Sequence, residues 1–286
     1  MCNKHYEKYG PVSRLDMVKN QRVLMCLGPE FNEATLFDPK GNFSVAGGYA
    51  SSLGGLYPDG MLTRDDAKHK RTRRASQPAF KNDALKTYVD MLIPIQERRI
   101  QDLPINEEFI FYDNIQKTLM DVAARVFIGL DELSPEAKKL GHLFSEINEG
   151  LITPLPYDLP FLQFRKSLKA REELRQFFIE NIPKRRGSNG LDMFTRYCNA
   201  KDEDGEYLDD IDIDGHIAFL LFAAFDTTTS ALTNILYYLG KNPEWQDKVR
   251  NEIFSVTNEM PTFEDLAEMV AEGENSESAI LTSFSD

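Results

Sequence analysis

Ala223–Ser230, reading AAFDTTTS, sets one acid and four hydroxyl groups into a stretch that is otherwise a long apolar helix. Ile217 to Phe225 is apolar without a break, and Ala231, Leu232, Ile235, Leu236 and Leu239 resume at helical spacing. Apolar surface therefore wraps most of the cylinder, and the pattern predicts a core helix from Asp209 to Gly240. β-branched Thr is a mediocre helix former whose hydroxyl can bond the preceding turn's carbonyls. Two readings of Asp226 follow. It N-caps a second helix after a break, with Thr227–Ser230 as the polar first turn, or the helix is continuous and Asp226 is an acid in a core with a perturbed pKa, a candidate functional group. No Gly or Pro marks a break, which favours continuity.

Around this helix the chain reads as globular and mainly helical. Its 286 residues suffice for one large domain or two small ones, and 42% hydrophobic with 28% charged residues is far from both the disordered and the membrane extremes. Nine consecutive apolar residues, Ile217–Phe225, form the longest such run, so no transmembrane anchor is expected. The polar start MCNKHYEKYG carries no secretory signal, and a soluble, cytoplasmic protein is the default expectation. Cys2, Cys26 and Cys198 are scattered without CxxC spacing, which argues against a disulfide framework or a structural zinc site. The net charge is −13, of which the nine acids between Asn251 and Asp286 carry most.

The only β region predicted is Pro11–Val18 with Arg22–Leu27, joined hairpin-fashion by Lys19, Asn20 and Gln21. A short helix is expected over Pro29–Phe37, then a Gly- and Ser-rich loop over Asn42–Met61. Helical patterns follow at Arg64–Ser76, Asn82–Leu103, Asp113–Gly129, Ser134–Gly150, Phe164–Pro183, Leu191–Asn199 and Asp209–Gly240. Ser134-Pro135-Glu136 and Asn242-Pro243-Glu244 are helix starts, the latter opening a helix through Val256. PLPYDLP (Pro154–Pro160) is a rigid loop and KDEDGE (Lys201–Glu206) an exposed turn. Thr262 and Asp265 stand near capping-box spacing for a last helix to Met269; Val270–Asp286 lacks any period and reads as a disordered tail.

A second informative stretch is basic: Lys68–Arg74, KHKRTRR. On a helix His69 and Arg73 share one face, while Lys70 and Arg74 form the adjacent stripe. Two cationic donors on one face suit a pair of carboxylates or phosphates. The competing reading is a solvated basic face or a general polyanion patch, although nucleic acid is not an expected partner of so acidic a chain.

Taken together and in this order, these stretches resemble the cytochrome P450 family of haem-thiolate monooxygenases. AAFDTTTS is similar to the [AG]GxDTT motif of that family's central helix, with Ala224 in place of Gly. His69–Arg73 followed by Gln77-Pro78-Ala79-Phe80 resembles its HxxxR and PAF elements, and Lys8–Val12 (KYGPV) the approach to its first strand. The likeness covers roughly residues 6 to 269. It implies the cytochrome P450 fold, mainly α with a small N-terminal β region, and insertion of one atom of O2 into a small hydrophobic organic substrate. It further implies haem b as cofactor, with electrons passing from NAD(P)H through a ferredoxin or flavoprotein reductase. Carried onto this chain, His69 and Arg73 would bind the haem propionates, and Ala223 and Ala224 would lie over the haem. Asp226 and Thr227 would be catalytic, delivering protons to dioxygen, and Phe222, Phe219 and Ile152 would line the substrate pocket. Lys70, Arg71 and Arg74 would face an acidic redox partner.

Two family elements are missing from the expected place. No Cys follows Cys198, so the FxxGxRxCxG segment that supplies the iron's axial thiolate is not encoded, and no metal ligand is assigned. Cys198 itself reads as an ordinary helix residue, and Glu172–Arg175 as a surface turn rather than the family's ExxR pair. The resemblance thus implies the N-terminal two-thirds of such an enzyme, residues 1–269, truncated after the helix that follows the central one and inactive as it stands, with residues 270–286 not native to the fold. The alternative is a non-catalytic helical protein that binds a partner or a hydrophobic ligand.

Overall fold

A computed structural model describes residues 2–16, 22–38 and 40–273. The predicted connection Lys19–Gln21 and the tail beyond Gly273 lie outside these described residues. The chain separates into two compact units, residues 1–48 and residues from Tyr49 onward.

The first unit opens on helix α1 (Cys2–Tyr9), which the sequence pattern did not reveal. The reason is physical: Tyr6 and Tyr9, its aromatic residues, are both about half exposed, so no buried stripe imposes a period. Strands β1 (Val12–Asp16) and β2 (Arg22–Cys26) pair antiparallel, Val12 opposite Cys26 and Asp16 opposite Arg22. Helix α2 (Pro29–Phe37) has the predicted bounds, with Pro at its first turn where no N–H is needed.

Helix α3 (Val45–Tyr49) interrupts the expected loop, and Leu53, Leu56 and Tyr57 beyond it are buried. The second unit then runs α4 (Asp66–Ser76), α5 (Asn82–Gln101), α6 (Phe111–Val122), α7 (Pro135–Leu151), α8 (Gln163–Arg185), α9 (Met193–Cys198), α10 (Asp210–Lys241), α11 (Pro243–Val256) and α12 (Phe263–Gly273). Each predicted helix is present. The pattern over Asp113–Gly129, however, holds two elements, because Ala123–Ile128 widens into a π-helix after α6. The last helix runs four residues into the stretch expected to be disordered, up to Gly273.

The centre of this unit is the antiparallel pair α7 and α8 with the N-terminal half of α10. On α8, Leu174, Phe178 and Ile182 recur at a spacing of four and are fully buried, each burial contributing about 1.5–3 kcal/mol. Ile213, Ile217 and Ala218 of α10 are equally inaccessible. The expectation that α10 is buried throughout fails beyond Ser230: Ile235, Leu236, Tyr237 and Tyr238 are exposed. There α10 and α11 enclose an open apolar cleft of about 380 Å³ lined by Leu236, Leu239, Val249, Ile253 and Phe254.

Counting unbroken apolar residues also missed a property of α10. Among the described residues it is the one helix long and apolar enough to cross a membrane, with a mean hydropathy of 1.3 over 18 residues. Averaging absorbs Asp226 and the hydroxyls, which a run count does not. Its N-terminal half nevertheless buries Asp212, Asp214 and His216 among protein groups.

Candidate active site

Helix α10 is continuous through AAFDTTTS, so Asp226 is not an N-cap. The hydroxyls explain why. Thr227 Oγ1 donates to Ala223 O at 2.6 Å, Thr229 Oγ1 to Phe225 O at 2.9 Å and Thr233 Oγ1 to Thr229 O at 2.7 Å. These three hydroxyls, two of them in the motif, are satisfied one turn back, so the helix needs no break to accommodate them. The second expectation, an acid in the core, is corrected: Asp226 and Thr227 are exposed, while their neighbours Phe225 and Thr229 are buried. The burial that the Asp226 carboxyl does experience still pushes its pKa above the usual carboxylate value.

On the adjoining stretch of α10, Phe222 stacks on Tyr57 with centroids 4.9 Å apart and lies 6.0 Å from Phe219. Tyr57 is fully buried, its hydroxyl donates to Asn148 Oδ1 at 2.9 Å, and burial raises its phenol pKa. The segment after Tyr57 lies directly against α10. A Cβ on Gly215 would come within 2.5 Å of the Asp59 carbonyl oxygen, and one on Gly60 within 2.8 Å of Phe219. Ala223 and Ala224 are half-buried, whereas Ile152, the C-cap of α7, is 85% exposed. The expected pocket role of Ile152 therefore finds no enclosure, because α7 ends at Leu151 and the proline-rich loop runs over the surface.

The first turns of α10 are tied down by cations that the sequence reading did not single out. Arg64, just before α4, pairs with Asp212 at 2.7 Å and donates to Thr72 Oγ1 on α4 at 3.3 Å. Arg171 of α8 grips Asp214 with two bonds, 3.0 and 2.8 Å, and its Nε donates to Leu56 O at 3.1 Å. Asp212 and Asp214 lie on opposite sides of a helix yet are both buried. Such a pair requires a cation from each side, and that was the available signal. One turn beyond Asp212, His216 is 1% exposed, and its Nε2 has no hydrogen-bond partner among the described residues. Burial, reinforced by Arg64, drives its pKa down to about 3, so the ring is neutral.

Helix α4 distributes its cations to two sides. Arg73 lines an open cleft of about 390 Å³ with Met61, Ser76, Gln77 and Phe80. His69 lies one turn earlier on the same helix, and among the described residues neither side chain has a hydrogen bond or ion pair. The unpaired Arg73 guanidinium beside this cleft, with the His69 ring one turn away, fits a ligand carrying carboxylates. Arg71 and Arg74 are different: they pair with Asp202 at 2.8 Å and Glu203 at 2.5 Å. The face at which the resemblance puts an acidic redox partner thus already carries the acids of the KDEDGE turn.

Residues 1–271 match the family model of cytochrome P450.

This chain belongs to the cytochrome P450 family.

It is 30% identical over 255 residues to cytochrome P450 136 of Mycobacterium tuberculosis, covering 86% of this chain and 51% of that one. It is 25% identical over 286 residues to the beta-amyrin 28-monooxygenase CYP716A378 of Saponaria officinalis, covering 92% and 56%. The fold matches the retinoic acid bound cyanobacterial CYP120A1 with a TM-score of 0.78 at 24% identity, over 93% of this chain and 61% of that structure. The chain spans about half the length of the curated relatives it matches.

Within this P450 chain Cys198 behaves as a structural residue. It is fully buried at the end of α9, and burial pushes its thiol up to about 12, so no thiolate forms near neutral pH. Glu172 and Arg175 form an exposed pair at 4.0 Å on α8, as expected of a surface turn.

Proposed function

We propose that this chain supplies the propionate-binding helix and the oxygen-side helix of a haem-thiolate monooxygenase acting on a small hydrophobic organic substrate. The observation that carries the reading is the join between its two motif helices. Arg64 bonds Thr72 of α4 and Asp212 of α10 at once, which fixes α10 against the helix bearing the unpaired His69 and Arg73.

In this reading His69 and Arg73 bind the two haem carboxylates. Haem, when bound, supplies the redox chemistry by which one atom of O2 enters the substrate. Phe219 and Phe222, the latter held by Tyr57, present an apolar wall that orients substrate and excludes water. Asp226, with its raised proton affinity, holds a proton at its carboxyl closer to neutral pH than an ordinary Asp does. Thr227 directs its own proton to Ala223 O, which leaves its Oγ1 lone pairs free to accept.

The test is haem titration of the 286-residue chain, followed by Soret absorbance. Saturable uptake that falls at least tenfold in the His69→Ala/Arg73→Ala double variant is expected. Equal uptake by that variant contradicts the propionate assignment, and no uptake at all favours the non-catalytic helical alternative.

A further inference from the structure

The core of the second unit is not filled everywhere. Where α6 passes into the π-helix and meets α7, α8 and α10, a cavity of about 20 Å³ remains. The side chains that meet there are the cause. The widened turn offers Ala123 and Ala124, α7 adds Ala137 and Gly141, and none of these reaches far across the junction. Met120 lies over Gly141, where a Cβ would come within 3.1 Å of its Cγ and Sδ. Phe144 of α7 and Phe225 of α10 close another side edge to face, with centroids 5.5 Å apart and ring planes at 86°.

The lining dictates what the space can hold. None of the eleven described residues around it has a nitrogen or oxygen in its side chain. A buried water needs about two to four polar partners, so water gains little here. A single water-sized molecule needs about 10–15 Å³ and an aromatic ring on the order of 150 Å³, which leaves room for a molecule of about two heavy atoms. Walls with no facing atom forfeit dispersion contacts, and a small apolar gas restores them. Access is from one side: nine of the eleven are buried, whereas Met120 and Ala123 are half-buried and form the mouth. The clefts beside Arg73, Arg175 and Arg250 are unlike it, being open, edged by charge and about 380 to 540 Å³ in volume.

The wall on α10 adds the functional link. Phe225 stands immediately before Asp226 and accepts Thr229 Oγ1 at its carbonyl, 2.9 Å away, and Leu221 lies one turn earlier. Phe225 thus joins the cavity wall to the segment read above as the oxygen side. We propose that this cavity is a docking site for dioxygen, which enters past Met120 and Ala123 and rests against Phe225 in the interior of the protein. The choice of dioxygen rests on the monooxygenase reading; the existence of a site for a small apolar gas does not.

The test needs no haem. The 286-residue chain is labelled with 13C at its Ile and Leu methyl groups, and their relaxation is compared without oxygen and under oxygen pressure, since paramagnetic O2 broadens the resonances it touches. The methyls of Ile128, Leu140, Leu174 and Leu221 should broaden roughly threefold or more beyond those of Ile182, Leu208 and Ile213, which are as deeply buried elsewhere in the core. Xenon competes for the same space and should reduce that excess. Ala124→Leu fills the cavity from the π-helix and should abolish it. If the spectrum shows that Ala124→Leu disturbs the fold, Ala123→Leu, whose added carbons enter at the half-buried mouth, decides in its place. Broadening no greater than at the control methyls, an excess that xenon leaves untouched, or one that survives the filled variant overturns the proposal. A chain that takes up no haem yet shows the excess keeps the site and loses the monooxygenase reading, whereas one that takes up haem without the excess loses only the site.

Discussion

Arg171 and Asp214 form a two-bonded ion pair across α8 and α10, at 3.0 and 2.8 Å, with both side chains almost wholly buried. The third Arg171 bond reaches Leu56 O, so one guanidinium joins two helices and the segment that leads to Tyr57. Removing Asp214 leaves Arg171 charged, buried and unpaired, and removing Arg171 leaves Asp214 only the longer contact to Arg175 at 4.0 Å. Arg171→Ala or Asp214→Ala should therefore cost about 3–5 kcal/mol in urea unfolding. The paired Arg171→Met/Asp214→Leu variant should recover most of that loss, and a double-mutant cycle measures the difference.

His216 couples stability to pH. Its folded pKa, about 3, lies below the ordinary value of 6.5. Between these values the unfolded chain binds a proton that the folded chain refuses, so stability rises with pH across that window. The groups around the ring are Arg64, Asp212, His69 and Lys68. At pH 7 the contribution is fully present; as pH falls from about 6.5 towards 4, His216 should remove up to roughly 1.4 kcal/mol per pH unit. His216→Phe should flatten the urea midpoint against pH over this range, and an unchanged slope would exclude His216 as its source.

Tyr57 offers two separable effects. Tyr57→Phe keeps the stack on Phe222 and loses only the bond to Asn148, an expected loss of about 1 kcal/mol. Tyr57→Ala removes the stack as well and opens a cavity, at about 3–5 kcal/mol. Thermal unfolding of the two variants should reproduce this order.

Thr227→Ala should leave stability almost untouched, because the hydroxyl is exposed and bonds only its own helix; the better helix propensity of Ala can even add about 0.5 kcal/mol. The effect belongs to function. In a haem-loaded enzyme carrying this segment, more reducing equivalents should leave as hydrogen peroxide, read as peroxide formed per NAD(P)H consumed. Unchanged coupling would remove Thr227 from proton handling.

Much of the local structure was legible because its causes are local. Ser134 accepts the N–H of Ala137 at 3.1 Å, as Ser-Pro-Glu predicts. Thr262 and Asp265 form the reciprocal capping box expected from their spacing, with Asp265 N–H donating to Thr262 Oγ1 at 3.2 Å and Thr262 N–H to Asp265 Oδ2 at 2.8 Å. The stripe Leu174, Phe178 and Ile182 buried as its period required. Where no local cause exists the reading failed: α1 buries too little to show a period, and nothing in the sequence pattern marks the widening at Ala123–Ile128.

The sequence by itself determined the longer helices from Pro29 onward, two of their caps, the order of the motifs and membership of the cytochrome P450 family, since periodicity and short motifs are written in consecutive residues. Only the tertiary structure decided which charges are free. Arg73 opens on a cleft while Arg74, its neighbour, is paired with Glu203 from 129 residues away, and Arg171 finds Asp214 across 43. Such pairings depend on which helix faces come together, and a lone Arg in a sequence carries no mark of the carboxylate that folding will bring to it.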